Sequence, residues 1–243
     1  MTILILGGTA EARSLAAELT GAGRPVISSL AGRVGNPRLP TGPVRIGGFG
    51  GTAGLIDYLL ATKISVVVDA THPFAAQMSD HAAQASRRTG IPLFRLVRPG
   101  WSDHPVAANW DWVPDLATAA EHGTGSRRPF ITTGRQSLPA FGSWADRDAL
   151  IRLVDVPTSP LPARWTVLRS RGPYDHDHER TIFEQHRPDL LVTKDSGGDH
   201  TVAKVEVAAE LGVDVLIVAR PPIPEDVATV DSVPRMIDLL SVR

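Results

Sequence analysis

The chain contains no cysteine. Disulfides, iron–sulfur clusters and thiolate zinc sites are thereby excluded. Lysine is scarce as well: of 25 basic residues only Lys63, Lys194 and Lys204 are lysines, and the rest are arginines. Arginine grips carboxylate and phosphate through a planar fork, so the chain is rich in bidentate anion binders. The formal net charge is −1, which gives no overall field to attract nucleic acid. No apolar run approaches the ~20 residues that a bilayer-spanning helix needs. The sequence enters Ile3-Leu4-Ile5-Leu6 without a basic leader, so no signal peptide is expected and the cytoplasm is the expected location.

What is present is an ordinary globular mix, 42% apolar and 21% charged over 243 residues. Strands and helices alternate. Thr2–Leu6 is a short apolar run closed by Gly7-Gly8, and helical spacing follows over 10–19. Residues 25–30 and 44–46 read as the next strands, and 52–60 as a helix with Leu55, Ile56, Leu59 and Leu60 on one face. Residues 64–69 form the continuously apolar strand type buried in parallel sheets. A helix over 74–88 and a strand over 92–97 come next. Around 98–101 the rhythm breaks, and Trp101, Trp110 and Trp112 fall among prolines. A second series follows, with segments at 130–133, 138–141, 150–154, 165–168, 174–186, 190–193, 201–211, 213–219 and 233–240. The expectation is an α/β protein of two Rossmann-like domains, with mostly parallel sheets and a cleft between them. The first is expected over 1–100 and the second over 125–243, with a crossover segment at 101–124.

Ligands of such sheets bind outside the carboxyl ends of the strands. After the first strand, Gly7-Gly8-Thr9-Ala10-Glu11-Ala12-Arg13 opens a helix whose free N–H groups suit a phosphate. Against the pattern G-x-G-x-x-G/A it offers Gly7, then Thr9 in place of the second glycine, then Ala12. Alone, this turn is either a phosphate cradle or only a tight connection. The second strand ends in Ser28-Ser29-Leu30-Ala31-Gly32-Arg33 with no acid for a ribose 2′-hydroxyl. Hydroxyls followed by Arg33 suit a 2′-phosphate, which favours NADPH over NADH; a solvated loop is the alternative. Gly47-Gly48-Phe49-Gly50-Gly51 spends backbone entropy heavily, as close approach of backbone to a ligand or another segment would require.

In the second half the matching ends are Thr132-Thr133-Gly134-Arg135-Gln136 and Thr193-Lys194-Asp195-Ser196-Gly197-Gly198, with Lys204 on the following helix. The spacing of a Walker A loop is absent. Asp175-His176-Asp177-His178-Glu179 has the composition of a metal cluster, but it falls at a helix start, where acids favour the dipole and cap N–H groups. It reads as a solvated N-terminal turn, and no metal site is expected. The stretch Asp69-Ala70-Thr71-His72-Pro73-Phe74-Ala75 ends the buried strand, with Pro73 expected in the first turn of the next helix.

Taken together, five stretches resemble the precorrin-6A reductases, a family that includes enzymes for the metal-free macrocycle and for its cobalt complex. They are Leu6-Gly7-Gly8-Thr9-x-Glu11-Ala12, Gly47-Gly48-Phe49-Gly50-Gly51, Asp69 to Ala75, Thr132-Thr133-Gly134, and Thr193-Lys194-x-Ser196-Gly197-Gly198 with Lys204. The resemblance spans almost the whole chain. It implies NADPH-dependent reduction of one ring double bond (C18=C19) of precorrin-6A to precorrin-6B in cobalamin biosynthesis. From loop position, cofactor contacts are expected at Gly7, Gly8, Thr9, Glu11, Ala12, Arg13, Ser29, Gly32, Arg33, Gly48, Phe49, Gly50, Ala70, Thr71 and His72. His72 is also a candidate proton donor. Substrate carboxylates are expected at Thr133, Gly134, Arg135, Gln136, Lys194, Asp195, Ser196, Gly197, Gly198 and Lys204. The alternatives are a Rossmann-like transferase and a two-domain module that closes on a small anion.

Overall fold

The computed structural model describes residues 1–32 and 35–241. The chain forms two compact units, one built from Met1–Pro99 with Pro221–Arg243 and the other from Gly100–Arg220. The first begins with β1 (Thr2–Leu6), α1 (Ala10–Gly21), β2 (Val26–Leu30), β3 (Val44–Ile46) and α2 (Gly51–Ala61), and continues with β4 (Ile64–Asp69), α3 (Ala76–Thr89) and β5 (Leu93–Leu96). The second holds β6 (Asp111–Val113), α4 (Leu116–His122), β7 (Pro129–Ile131), β8 (Leu150–Leu153) and β9 (Thr166–Arg169). It ends with α5 (His176–His186), β10 (Leu190–Lys194), α6 (Ala203–Glu210) and β11 (Asp214–Val218). The chain then returns to the first unit with β12 (Ala228–Val230) and α7 (Val233–Ser241).

Each unit has one six-stranded sheet, in the orders β12-β5-β4-β1-β2-β3 and β6-β11-β10-β7-β8-β9. Every strand pairing is parallel. The α/β fold read from the sequence is thus the fold observed. The pleat explains why β1 is apolar throughout. Ile3 and Ile5 face Leu15, Ala16 and Leu19 of α1 with Met236 and Leu240 of α7. Leu4 and Leu6 face Leu55 and Leu59 of α2 with Ala82, Ala83 and Ala85 of α3. Both faces of the strand are therefore dry, and each fully buried leucine contributes about 1.5–3 kcal/mol of transfer free energy.

Three expectations need correction. The segment 101–124 is no mere crossover: its strand β6 pairs with β11 in the second sheet. Residues 221–241 do not complete the second unit, because β12 pairs with β5 and Arg24, in the turn after α1, donates to the Leu240 carbonyl at 3.0 Å. Helix α3 starts at Ala76, so Pro73 lies outside it. Pro73 instead occupies the second position of a turn closed by Ala75 N donating to His72 O at 2.8 Å. Its fixed φ suits that position as well as it would a helix start.

Candidate functional site

The carboxyl ends of β1, β2, β3 and β4 carry the chemistry-bearing loops of the first unit. Chain direction reverses its order there, since β1 is flanked by β2 on one side and β4 on the other. That is the switch point where such sheets bind ligands. Gly8 takes a φ of 123°, with nothing within 4 Å of where a Cβ would stand. Thr9 caps α1: its Oγ1 accepts from Ala12 N at 3.0 Å and donates to Ala70 O at 2.8 Å. The second bond staples the loop after β1 to the loop after β4, so Gly7, Gly8, Thr9, Ala70 and Thr71 are brought together. Ala12 packs beneath Gly7, where a Cβ on Gly7 would stand 3.5 Å from its own. Glu11 is paired with Arg98 at 2.8 Å.

Beside this turn lies a small hollow lined by Gly7, Gly8, Arg13, Ser28 and Arg38. Ser28 is 1% exposed, and its hydroxyl has no hydrogen-bond partner. An orphaned hydroxyl that shares a hollow with two arginines and a glycine turn fits a phosphate-bearing dinucleotide. Arg33 lies outside the described residues. Gly32 is described, with a φ of +72° and its Cβ position 3.2 Å from Ile46 and 3.7 Å from Gly47 N, so the loop after β2 packs on the glycine turn after β3.

That glycine turn is organised by Arg45, which the sequence reading missed. Its Nη1 donates to Ser29 Oγ at 2.7 Å and to Gly47 O at 3.0 Å, and its Nη2 to Gly48 O at 3.0 Å. The guanidinium lies 3.8 Å from the centroid of the Phe49 ring. Ser29, Gly48 and Phe49 are thus tied into one cluster by a cation. Gly50 and Gly51 take φ of 80° and 87°, values that a side chain disfavours. Gly54 is required for a different reason: a Cβ there would stand 1.8 Å from the Phe49 carbonyl oxygen. The parallel register sets Arg45 opposite Ser29, a pairing that no local sequence signal announces. A larger hollow of about 270 Å³, lined by Arg87, Pro92 and Glu225 among others, opens at the amino ends of β5 and β12. It is at the wrong end of the sheet for this chemistry.

The second unit presents its own loops. Thr133 is buried with Ser137, whose Oγ lies 2.7 Å from Thr133 Oγ1 and 2.6 Å from Gly134 O. Gly134, at φ 88°, opens a 3₁₀ segment Arg135–Trp144, the stretch read as 138–141, and leaves Arg135 and Gln136 exposed. Lys194 ends β10, and burial depresses its ammonium below the usual lysine range. Ser196 N donates to Lys194 O at 2.6 Å, and Gly197 and Gly198 take φ of 63° and 67°.

Two of these residues face inward. Asp195 is 5% exposed; its carboxylate accepts from Trp101 N at 3.1 Å and pairs with Arg220 Nε at 3.1 Å. Lys204 is 3% exposed; its Nζ donates to Thr201 O at 2.5 Å and lies 4.6 Å over the Trp101 ring. Both therefore brace the chain around Trp101. In the acidic run, Asp175 caps α5 by accepting from His178 N at 2.9 Å. Glu179 departs from the expected solvated turn: it is fully buried against Arg152 at 2.8 Å. Among the described residues no group of three or more His, Cys, Asp or Glu side chains is placed to hold a metal ion, and no helix is long and apolar enough to cross a membrane.

Comparison with known proteins agrees with the fold and the motifs. The family model for precorrin-6x reductase CbiJ/CobK matches residues 2–241. A precorrin-6A reductase of Rhodococcus erythropolis is 50% identical, covering 95% of this chain and 94% of its own. A cobalt-precorrin-6A reductase of Priestia megaterium is 29% identical, with 91% of each chain covered. The solved structure of CobK precorrin-6A reductase superposes with a TM-score of 0.92 at 37% identity, covering 100% of this chain and 96% of that one. This chain therefore belongs to the precorrin-6x reductase family.

Proposed function

We propose that the chain reduces precorrin-6A with NADPH as hydride donor, acting at a single double bond of the macrocycle. The observation that carries this reading is the stapled pair of loops at the switch point. The Thr9 bond to Ala70 sets the glycine turn of a dinucleotide site against the Thr71–His72 turn. When bound, the cofactor supplies the hydride. The residues hold and orient it. The N–H groups opening α1 take the pyrophosphate, and Arg13 and Arg38, which line the same hollow as Ser28, neutralise its charge. Ser29 on β2 and Arg45 on β3 are offered to a 2′-phosphate there. Arg45 also fixes the glycine turn around it.

In the second unit Arg135 and Lys194 are the cations offered to the acetate and propionate groups of the macrocycle. A bound carboxylate would offset the burial that now disfavours the charged Lys194. Each charge-assisted hydrogen bond formed there contributes about 1.5–3 kcal/mol. Relatives named for the metal-free substrate reach 50% identity, against 29% for one named for the cobalt form, which supports metal-free precorrin-6A as the substrate.

The test is anaerobic oxidation of NADPH on addition of precorrin-6A or its cobalt complex. Turnover with the metal-free form and NADPH, and much slower turnover with NADH, is expected. Failure to bind NADPH at all would refute the reading. The binding itself is best followed by the fluorescence of NADPH.

A further inference from the structure

Asp69 is 2% exposed, and both of its carboxylate oxygens are engaged. Oδ1 accepts from Thr71 N at 3.1 Å and from the Thr71 hydroxyl at 2.7 Å. Oδ2 accepts from Ser79 Oγ at 2.6 Å and from Arg95 Nη1 at 2.9 Å. Arg95 also reaches the Ser79 hydroxyl. Four donors occupy the four lone-pair directions of this carboxylate. It is a fixed post between β4, α3 and β5.

The residue after Thr71 inherits that fixity. His72 opens the turn closed by Ala75 N, whose second residue is the buried Pro73. Within the turn Phe74 N donates to His72 Nδ1 at 3.2 Å. A ring nitrogen that accepts from an amide carries no proton, so the neutral ring bears its proton on Nε2. To become imidazolium the ring would have to break this bond and set one N–H against another.

We propose that Asp69 is a positioning residue that holds the 71–75 turn so that His72 stays in its neutral Nε2–H tautomer. His72 then serves the reaction as a hydrogen-bond donor to a carbonyl or carboxylate oxygen of the bound ligand, and does not deliver the proton that accompanies the hydride. That proton reaches the macrocycle from solvent. The inference rests on the reductase reading for the ligand, and on the ring geometry alone for the tautomer.

Nitrogen-15 spectroscopy of the imidazole rings in the ligand-free protein reads the tautomer directly, with His72 assigned by its loss in His72→Gln. The expected pattern is a protonated Nε2 and a bare Nδ1; a bare Nε2, or a ring averaging between forms, overturns the proposal whatever the activity. Turnover is the second arm. Glutamine sets an N–H donor near the Nε2 position and does not titrate. His72→Gln should therefore keep kcat/KM within about threefold of wild type, while His72→Ala loses about tenfold, the worth of one neutral hydrogen bond. A glutamine variant as impaired as the alanine variant overturns the donor role.

For the positioning role, Asp69→Asn should turn the His72 spectrum into a mixture of tautomers. Should that variant fail to fold, Thr71→Val keeps the Asp69–Arg95 pair and gives the same readout. An unchanged His72 spectrum in a folded variant would remove Asp69 from the proposal. Failure of the wild type to bind NADPH strikes the reductase reading and the donor role with it, separately from the ring spectrum.

Discussion

Replacing Thr9 by valine is the most direct probe of the stapled loops. Valine keeps the shape and removes only the hydroxyl. Two bonds go: the cap from Ala12 N at 3.0 Å and the bond to Ala70 O at 2.8 Å. Loss of an N-cap of this kind costs about 1 kcal/mol, within a range of about 0.5–2. The Ala70 carbonyl, in a residue 1% exposed, also loses its donor, and an unsatisfied buried group costs about 1–3 kcal/mol. The sum expected is about 2–4 kcal/mol, all of it in the first unit. Trp101, Trp110, Trp112, Trp144 and Trp165 are the only tryptophans, and all lie in the second unit. Far-UV circular dichroism thus follows urea unfolding of both units, whereas tryptophan emission follows one. Thr9→Val should move the part of the transition that tryptophan does not report by about 1–2 M urea. Thr9→Ser should restore it. A loss below about 0.5 kcal/mol, or an equal shift of the tryptophan transition, would show that the staple does not carry the stability assigned to it. The same distribution of tryptophans is why NADPH emission is the better binding signal.

Arg45→Ala removes three hydrogen bonds and the stack on Phe49, so NADPH affinity should fall about tenfold by fluorescence titration; Arg45→Lys should not restore it, because an ammonium cannot fork to Ser29, Gly47 and Gly48 together. Gly54→Ala would ordinarily stabilise a helix by about 1 kcal/mol. Here the added carbon meets the Phe49 carbonyl at 1.8 Å, so the melting temperature should drop, and a rise would refute the close approach. Lys194 titrates in the fold below its ordinary 10.5 because burial disfavours its charge. Between its folded and unfolded pKa values the unfolded chain binds more protons, so stability rises with pH through that window. Lys194→Met should abolish the rise, as tryptophan-monitored urea unfolding between neutral and alkaline pH would report.

The sheets were legible because their central strands are apolar on both faces; Ile3 to Leu6 and Val66 to Val68 admit no other placement. Asp111-Trp112-Val113 and Ala228-Thr229-Val230 are edge strands of three residues whose pairing is decided wholly by distant chain, so the unit boundaries were misjudged. The glycine turns were legible because local backbone geometry demands them. Arg45 and Arg38 were not, since an arginine in a three-residue edge strand or in a loop has the same local signature whether it solvates or organises. Pro73 suited two roles equally, and only the Ala75 bond distinguishes them. Asp195 shows the converse. Its place among glycines and hydroxyls marked it for a ligand, while its carboxylate is engaged with Trp101 N and Arg220.

Asp195 touches the chain at Trp101 and at Arg220, the second and the last residues of the inner unit. The second unit is thus an insertion within the first, and its two ends are clasped by one carboxylate. All six strands of its sheet lie within residues 100–220, so the insertion can close that sheet without the rest of the chain. The first unit must wait for residues 221–241, because until α7 arrives Leu15 and Leu19 on α1 lack Met236 and Leu240. A chain ending at about residue 220 would therefore hold every strand of the inner unit and an outer unit with its apolar face still open to chaperones.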